Sequence, residues 1–271
     1  MRIALIACGG QLPVMVYKQL QQQNHQVMII RFHEVSSELN ADYTVSLGQV
    51  GKVFKFLKKH NVDNIILAGS INRPNLWRLR LDYTGLKFIL GMLNFFRKGD
   101  DALLRFVCNY IENYNFKLWS IADLCPQLLM PMGNITVNKG SDDIANSVIF
   151  GQKILNTLSQ FDIGQSIVIA GHVVLGIETI EGTDNMIARI ETIDKSRLHN
   201  IPKPVLIKMR KKNQSNLVDL PTVGLQTIDN LYKSGFAGAA FEADGCLILD
   251  IQAVIKRANT LGLFIIGFKN D

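Results

Sequence analysis

The sequence predicts an α/β protein with an N-terminal Rossmann-like parallel-sheet domain and a second, C-terminal α/β domain. Short apolar runs alternate with segments of helical periodicity throughout the chain. Near-continuous apolar strands joined through helices are typical of a parallel sheet that is covered on both faces. Pro126 and Pro131 lie in a stretch with few charges. We therefore predict two domains, residues 1–131 and residues 132–271, with the active site in the cleft between them.

The first domain is predicted to begin as strand, helix, strand, helix, strand. An apolar run over residues 2–8 is followed by Gly9-Gly10, which permits a tight turn, and by Pro13, which is favoured in the first helical turn. Apolar content predicts further strands over residues 26–32 and 64–68. Apolar residues at helical spacing predict helices over residues 14–23, 51–60, 86–97 and 100–112.

The second domain is predicted from the same two patterns. Strands are expected over residues 166–170, 173–180, 205–209, 238–241, 246–249 and 263–268. Helices are expected over residues 141–158, 183–193, 224–233 and 250–261. Thr183 is the expected N-cap of the second of these helices.

Composition narrows the classes of protein that this chain can be. Hydrophobic residues make up 48% of the 271 residues and charged residues 19%, which excludes a disordered chain. The apolar run before Cys8 is too short for a signal peptide, and the longest apolar run is too short to span a membrane. The four cysteines form no CxxC pair, which favours reduced thiols in a cytoplasmic protein. The net charge of +6 favours an anionic partner.

Two glycine turns follow predicted strands of the first domain. Gly9-Gly10 and Gly69-Ser70 come at carboxyl ends of strands, where open α/β sheets bind ligands. Free backbone N–H groups before a helix can bind phosphate, although the same turn can be an ordinary connection. No G-x-G-x-x-G motif is present, and only Glu34 could hold a ribose hydroxyl. These observations disfavour a nicotinamide-dependent enzyme.

A basic run and a nearby carboxylate mark the second domain. Residues 208–212 contain four cations, which either form a solvated strand end or offset the charge of a diphosphate. Asp219 follows and is either a helix-entry cap or a ligand of Mg²⁺ bound to such a diphosphate. Phe and Tyr are absent between Pro202 and Asp229, so stacking on nucleic-acid bases is not expected.

Two further segments have alternative interpretations. Glu181 and Asp184 flank the start of a predicted helix, and a helix-entry role explains them as well as a catalytic or metal-binding one. Residues 76–81 and 86–98 are rich in Leu, Phe and Trp and are flanked by Arg and Lys. They could form a core or dimer helix, an acyl-chain chamber or an interfacial membrane helix.

Six short strings, in this order, resemble the UDP-2,3-diacylglucosamine pyrophosphatase family of LpxI type. They lie at residues 5–13, 97–104, 162–165, 181–184, 219–224 and 261–264 and read LIACGGQLP, RKGDDALL, DIGQ, EGTD, DLPTVG and LGLF. The resemblance implies hydrolysis of the diphosphate of UDP-2,3-diacylglucosamine to UMP and 2,3-diacylglucosamine 1-phosphate (lipid X) in lipid A synthesis. It also implies Mg²⁺ as cofactor, a homodimer, and peripheral contact with the cytoplasmic face of the inner membrane.

The resemblance also implies which residues form the site. The essential Asp of the family's D-L-P-T-x-G string corresponds to Asp219, as catalytic residue and metal ligand. The implied substrate contacts are Gly10, Gly69, Ser70, Gln165, Thr183, Lys208 and Lys211. Three alternatives remain open at this point: a non-catalytic protein that binds a nucleotide-sugar lipid, a Rossmann-type oxidoreductase and a membrane-surface scaffold.

Overall fold

A computed structural model describes residues 1–71, 79–93, 95, 100–194, 199–211 and 220–270. The described chain divides into two compact units. The first contains Met1–Pro126, and the second contains the described residues from Gln127 onward. The mixed α/β class predicted from the sequence is confirmed. The domain boundary after residue 131 and the location of the active site between the domains stay predictions.

The first unit is a five-stranded parallel sheet with strand order β3-β2-β1-β4-β5. Its strands are β1 (Arg2–Ala7), β2 (Gln26–Phe32), β3 (Tyr43–Val45), β4 (Asn64–Ala68) and β5 (Lys117–Trp119). Its longer helices are α1 (Leu12–Gln22), α2 (Val50–Lys59), α3 (Tyr83–Leu93) and α4 (Asp100–Glu112), with a short α5 (Ile121–Leu124). The Rossmann-like arrangement predicted for this half is present.

Burial in the first unit follows the sequence pattern. In α2, Val53, Phe54 and Leu57 are buried, while Lys55 and Lys58 are exposed. The central strand β1 is buried from Ile3 to Ala7, which explains why its sequence is apolar without alternation. Strands β3 and β5 were not predicted, because three residues are too few to establish a period.

The strand order places the two glycine turns at one position in the sheet. The chain leaves β1 toward β2 and β3 on one side, and then returns to β4 on the other side. The gap between β1 and β4 is therefore the topological switch point, where open α/β sheets bind ligands beyond the carboxyl ends of the strands. Gly9 follows β1 and Ser70 follows β4, so both lie at this edge.

The second unit contains a six-stranded mixed sheet with strand order β6-β13-β11-β9-β7-β8. These strands are β6 (Gly133–Asn134), β7 (Ser166–Ala170), β8 (Val173–Ile177), β9 (Val205–Lys208), β11 (Gly238–Glu242) and β13 (Phe264–Phe268). A separate pair joins β10 (Thr222–Val223) to β12 (Leu247–Ile248). The helices are α6 (Asp142–Leu158), α7 (Thr183–Glu191), α8 (Leu225–Lys233) and α9 (Ile251–Leu261).

A tight hairpin joins β7 to β8 and determines which strand ends meet. Gly171 and His172 form its turn, and Gly171 has a φ of 62°, which glycine adopts without strain. Strand β7 is antiparallel to both β8 and β9, whereas β9, β11 and β13 are mutually parallel. The start of β7 therefore lies at the same edge as the ends of β8, β9 and β11.

One helix of the first unit exposes a row of apolar side chains. Leu86, Leu90 and Leu93 of α3 have relative exposures of 44%, 57% and 47%, while Ile89 and Met92 are buried.

None of the helices in the described part of the chain has both the length and the apolar character needed to cross a bilayer.

Candidate functional site

The first candidate site is the pair of glycine turns at the β1–β4 edge. Gly9 N–H donates to the carbonyl oxygen of Ser70 at 2.9 Å, and Ser70 N–H donates to the carbonyl oxygen of Gly9 at 3.1 Å. This reciprocal bridge ties the two turns together beyond the strand ends. Gly10, Gly69 and Ser70 are exposed there, so the structure brings together the three predicted substrate contacts of this unit.

Glycine is required at this bridge for two different reasons. Gly10 and Gly69 have φ values of 86° and 92°, in the left-handed region that other residues rarely adopt. A Cβ atom at Gly69 would lie 2.3 Å from the carbonyl oxygen of Gly9, whereas a Cβ at Gly10 would meet nothing within 4 Å. Gly69 thus lets the two backbones approach, and Gly10 leaves open space where the turn faces solvent.

The second candidate site is a polar cluster at the edge of the second unit's sheet. Lys208, the last residue of β9, is only 8% exposed, and its Nζ donates to Thr183 Oγ1 at 2.8 Å. Thr183 Oγ1 in turn donates to Glu178 Oε1 at 2.8 Å. Ser166 Oγ lies 3.3 Å from Thr183 Oγ1. A buried cation, two hydroxyls and a carboxylate are therefore connected by hydrogen bonds.

Thr183 has a different role from the helix cap predicted for it. Gly182 is the N-cap of α7, and Thr183 is the first residue of the helix. The Thr183 hydroxyl is engaged by Lys208 and Glu178 instead of by a backbone N–H of its own helix. The prediction that Thr183 is the N-cap was therefore wrong, because tertiary partners compete for its hydroxyl.

Gln165 lies beside this cluster, directly before β7. Its backbone N–H donates to Glu178 Oε2 at 3.3 Å, and its carbonyl oxygen accepts from Met209 N–H at 2.9 Å. Its side-chain oxygen is buried and has no hydrogen-bond partner among the described residues. The structure thus brings together Gln165, Thr183 and Lys208, three of the four substrate contacts predicted in this half of the chain.

Lys211 is held by a carboxylate of its own unit. Its Nζ lies 2.6 Å from Asp162 Oδ1 and 3.1 Å from the Asp162 carbonyl oxygen. The Lys211 side chain is 18% exposed and that of Asp162 is 47% exposed. An exposed carboxylate forms a weak ion pair, so a phosphate could compete for this ammonium.

Arg210, between the two lysines, is anchored by a buried acid. Glu242 at the end of β11 is 2% exposed and accepts from Arg210 N–H at 2.8 Å and from Arg210 Nε at 3.0 Å. Burial raises the pKa of Glu242, and the hydrogen bonds and charge of Arg210 oppose that rise. These contacts anchor the backbone immediately after Lys208.

The catalytic and metal-binding prediction lies outside the described residues. Asp219 and the neighbouring Lys212 belong to the range 212–219. The residues that follow this range are described: Thr222 begins β10, and Gly224 is the N-cap of α8. The assignment of Asp219 as catalytic residue and metal ligand stays a prediction.

Several alternative candidate residues have structural partners of their own. Glu181 forms an exposed ion pair with Arg189 at 2.7 Å, and Asp184 accepts from Asn230 at 3.2 Å. Glu34, considered for a ribose hydroxyl, accepts from Ser46 Oγ at 2.5 Å and from Leu47 N–H at 3.0 Å. Each of these carboxylates therefore has a partner within the protein.

The described carboxylates do not by themselves form a metal centre. Nowhere in the described ranges do three side chains of His, Cys, Asp or Glu come close enough together to hold a metal ion. Near the lysines, Glu178, Glu242 and Asp162 each have a described partner. Binding of Mg²⁺ therefore stays a prediction from the sequence.

Sequence reasoning missed Glu178, Ser166 and Glu242. Glu178 and Glu242 are buried acids that come directly after, or end, an apolar strand. Charged residues are rarely buried without a partner, so an acid at the end of such a strand is a usable signal. That signal did not indicate which partner each acid would meet.

Comparisons with known proteins cover both halves of the chain. The model of the LpxI N-terminal domain matches residues 2–128, and the model of the LpxI C-terminal domain matches residues 131–266. A UDP-2,3-diacylglucosamine pyrophosphatase LpxI from Caulobacter vibrioides is 31% identical over 271 residues, covering 98% of this chain and 97% of the relative. The chain therefore belongs to the LpxI-type UDP-2,3-diacylglucosamine pyrophosphatase family.

Proposed function

We propose that this protein hydrolyses the diphosphate of UDP-2,3-diacylglucosamine to UMP and 2,3-diacylglucosamine 1-phosphate (lipid X), a step of lipid A synthesis. The observation that carries the proposal is the match to both LpxI domains, in order, together with a relative of that name at 31% identity over nearly the full chain. The buried Lys208 ammonium and the exposed turns at Gly10 and Gly69 support the proposal, because such groups can bind phosphate.

The reaction needs an attacking water, a leaving phosphate and compensation of charge. Water forms a new P–O bond at one phosphorus as the bridging P–O bond breaks, and the water's protons pass to bulk solvent or to a nearby base. Positioning and electrostatic stabilisation supply most of the rate acceleration in phosphoryl transfer. Lys208 and Lys211 offset the diphosphate charge in this proposal, and Gln165 and Thr183 orient the substrate beside Lys208.

We assign the remaining predicted contacts by the same reasoning. In this proposal the exposed backbone of Gly10, Gly69 and Ser70 contacts the nucleotide portion of the substrate. Asp219 would position the attacking water and would hold Mg²⁺ together with the substrate's phosphates. Bound Mg²⁺ would stabilise charge on the phosphoryl oxygens.

The exposed side of α3 supports the proposal of peripheral membrane contact. Leu86, Leu90 and Leu93 are exposed together with Lys87, and the helix contains no acidic residue. Such a face suits an anionic lipid surface. Flotation with vesicles of anionic phospholipid tests this contact, and sedimentation equilibrium tests the proposed homodimer.

The activity is tested by UMP release from UDP-2,3-diacylglucosamine and from UDP-N-acetylglucosamine, with and without EDTA. We expect UMP from the diacylated substrate only, and loss of activity in EDTA that added Mg²⁺ restores. Binding of the substrate without UMP release under all these conditions would instead indicate a nucleotide-sugar-lipid carrier.

The role of Asp219 is tested by Asp219→Ala, with Asp184→Ala as the control. Asp219→Ala should abolish turnover and leave substrate binding measurable, because the lysines remain. Asp184→Ala should keep its turnover, because Asp184 is exposed and bonded to Asn230. Near-wild-type turnover of Asp219→Ala would reject the assignment.

A further inference from the structure

We propose that Glu178 is a positioning residue: it orients the Thr183 hydroxyl so that Lys208 is held at the sheet edge with donor capacity left for a diphosphate. The inference rests on the proposed function and adds to it a residue that neither the sequence motifs nor the charge pattern indicated. It follows from hydrogen-bond geometry among Lys208, Thr183, Glu178 and Gln165.

Glu178 is buried and both of its carboxylate oxygens are engaged. Its relative exposure is 8%, Oε1 accepts from Thr183 Oγ1 at 2.8 Å and Oε2 accepts from Gln165 N–H at 3.3 Å. Its backbone lies close to that of Gly164, where an added Cβ would be 2.3 Å from the Glu178 carbonyl oxygen. The carboxylate is therefore fixed relative to the two substrate-contact candidates that it touches.

The direction of each hydrogen bond in the cluster follows from chemistry. A lysine ammonium can only donate, so Thr183 Oγ1 accepts from Lys208 Nζ. An ionised carboxylate can only accept, so the single hydroxyl proton of Thr183 points to Glu178. Ser166, at 3.3 Å, is then restricted to donating to Thr183. Glu178 thus determines that the Thr183 lone pairs face Lys208.

The Thr183 hydroxyl bonds to both Lys208 and Glu178, and this Thr183 relay separates the buried ammonium from the carboxylate. Within the described residues, Lys208 forms no ion pair, and Thr183 Oγ1 is the acceptor for its ammonium. An ammonium has three N–H donors, so two remain for phosphate oxygens. A direct ion pair with Glu178 would consume one of them and place a negative charge against the incoming diphosphate. The intervening hydroxyl keeps the carboxylate one hydrogen bond farther away.

A purely structural role for Glu178 makes different predictions. The carboxylate also links the end of β8 to Gln165 before β7, so it could simply stabilise the hairpin. In that case its replacement lowers the melting temperature but leaves the kinetics of the folded enzyme unchanged. A positioning role lowers kcat/KM through Thr183, and it does so in enzyme that is fully folded.

The test compares Glu178→Gln, Thr183→Val and the double variant in the UMP-release assay, with Glu181→Gln as the control. A glutamine side chain offers one acceptor and one donor, whereas the Thr183 hydroxyl and the Gln165 N–H both need an acceptor. One of these two donors therefore loses its partner. We expect a fall in kcat/KM of about 10- to 100-fold for Glu178→Gln, mostly as a higher KM, because the diphosphate is charged before reaction. Glu181→Gln should match the wild type, because the Glu181 carboxylate lies three residues away and pairs with Arg189.

The double variant and a conservative variant complete the test. If Glu178 acts through Thr183, the double variant should be no more impaired than the worse single variant, and Thr183→Ser should retain most of the activity. Multiplying losses, or a Glu178→Gln enzyme within twofold of the wild type, would overturn the inference. Should Glu178→Gln not fold, a folded Thr183→Val enzyme with wild-type kcat/KM overturns it equally.

UMP release by the wild-type enzyme separates failure of this inference from failure of the proposed function on which it rests. Absence of UMP release by the wild-type protein would remove the proposed function and the inference together. An active wild type with unaffected variants would remove the role of Glu178 alone.

Discussion

Gly69→Ala should disrupt the glycine bridge of the first unit far more than Gly10→Ala does. Both residues have φ near 90°, so an alanine at either position is strained. Only at Gly69 does the new Cβ meet backbone, 2.3 Å from the Gly9 carbonyl oxygen, a distance at which one of the two turns must move. Comparing Gly69→Ala with Gly10→Ala therefore separates the effect of close backbone approach from the effect of conformational strain.

The structure gives a magnitude for each variant. Left-handed backbone at a non-glycine residue costs about 1–2 kcal/mol, which is the whole expected loss in unfolding free energy at Gly10. Displacing the turn at Gly69 also weakens the two hydrogen bonds between Gly9 and Ser70, each of which contributes about 1 kcal/mol. We therefore expect a loss of about 3–4 kcal/mol for Gly69→Ala.

Urea unfolding followed by circular dichroism measures both losses, and Gly262→Ala serves as a control. Gly262 ends α9 at a φ of 69° with nothing within 4 Å of a built Cβ, and it lies in the second unit. It should lose about as much unfolding free energy as Gly10→Ala. A Gly69→Ala protein as stable as Gly10→Ala would refute the reasoning, because the close approach would then impose no restraint.

Two further predictions concern titratable groups. Burial raises the pKa of the Cys8 and Cys246 thiols to about 12, so iodoacetamide at pH 8 should label them only after unfolding in urea; rapid labelling of native protein would contradict this. Burial raises the pKa of Glu34, but the hydrogen bonds from Ser46 and Leu47 outweigh it and the pKa is lowered. Glu34 therefore stabilises the fold above the ordinary carboxyl pKa, and this contribution disappears as pH falls through the lowered value. The wild type should exceed Glu34→Gln in unfolding free energy at pH 7, and the difference should shrink in acid.

Most of the fold could be predicted because burial leaves a direct signature in the sequence. Strands β2, β4 and β7 have the predicted bounds, since each is a near-continuous apolar run. The short strands β3 and β5 carry no such signature. The antiparallel direction of β7 follows from the two-residue turn to β8 and from its pairing with β9, which lies far from β7 in sequence. Local pattern does not encode that pairing.

The candidate site was predictable in part, for a related reason. Cations and glycines at strand ends are visible in the sequence, so Gly10, Gly69 and Lys208 could be predicted as candidates, and they stay predictions. Their partners are not, because Glu178 meets Thr183 and Gln165 only after β8 folds back along β7. A buried acid in a sequence shows that a partner exists, and only the topology shows which residue it is.

The two site lysines that can be described differ in how their charge is balanced. Lys211 makes a direct contact with a carboxylate that is 47% exposed, whereas Lys208 is nearly buried and contacts a hydroxyl. Water weakens the first pair, because the Asp162 carboxylate is half exposed. A direct pair inside the protein would be costly to break, because it would leave a charge buried without its partner. The Thr183 relay avoids this cost, since the arriving phosphate adds ligands to Lys208 without removing any. In the proposed function, this difference would allow the buried Lys208 at the end of β9 to bind an anionic substrate reversibly.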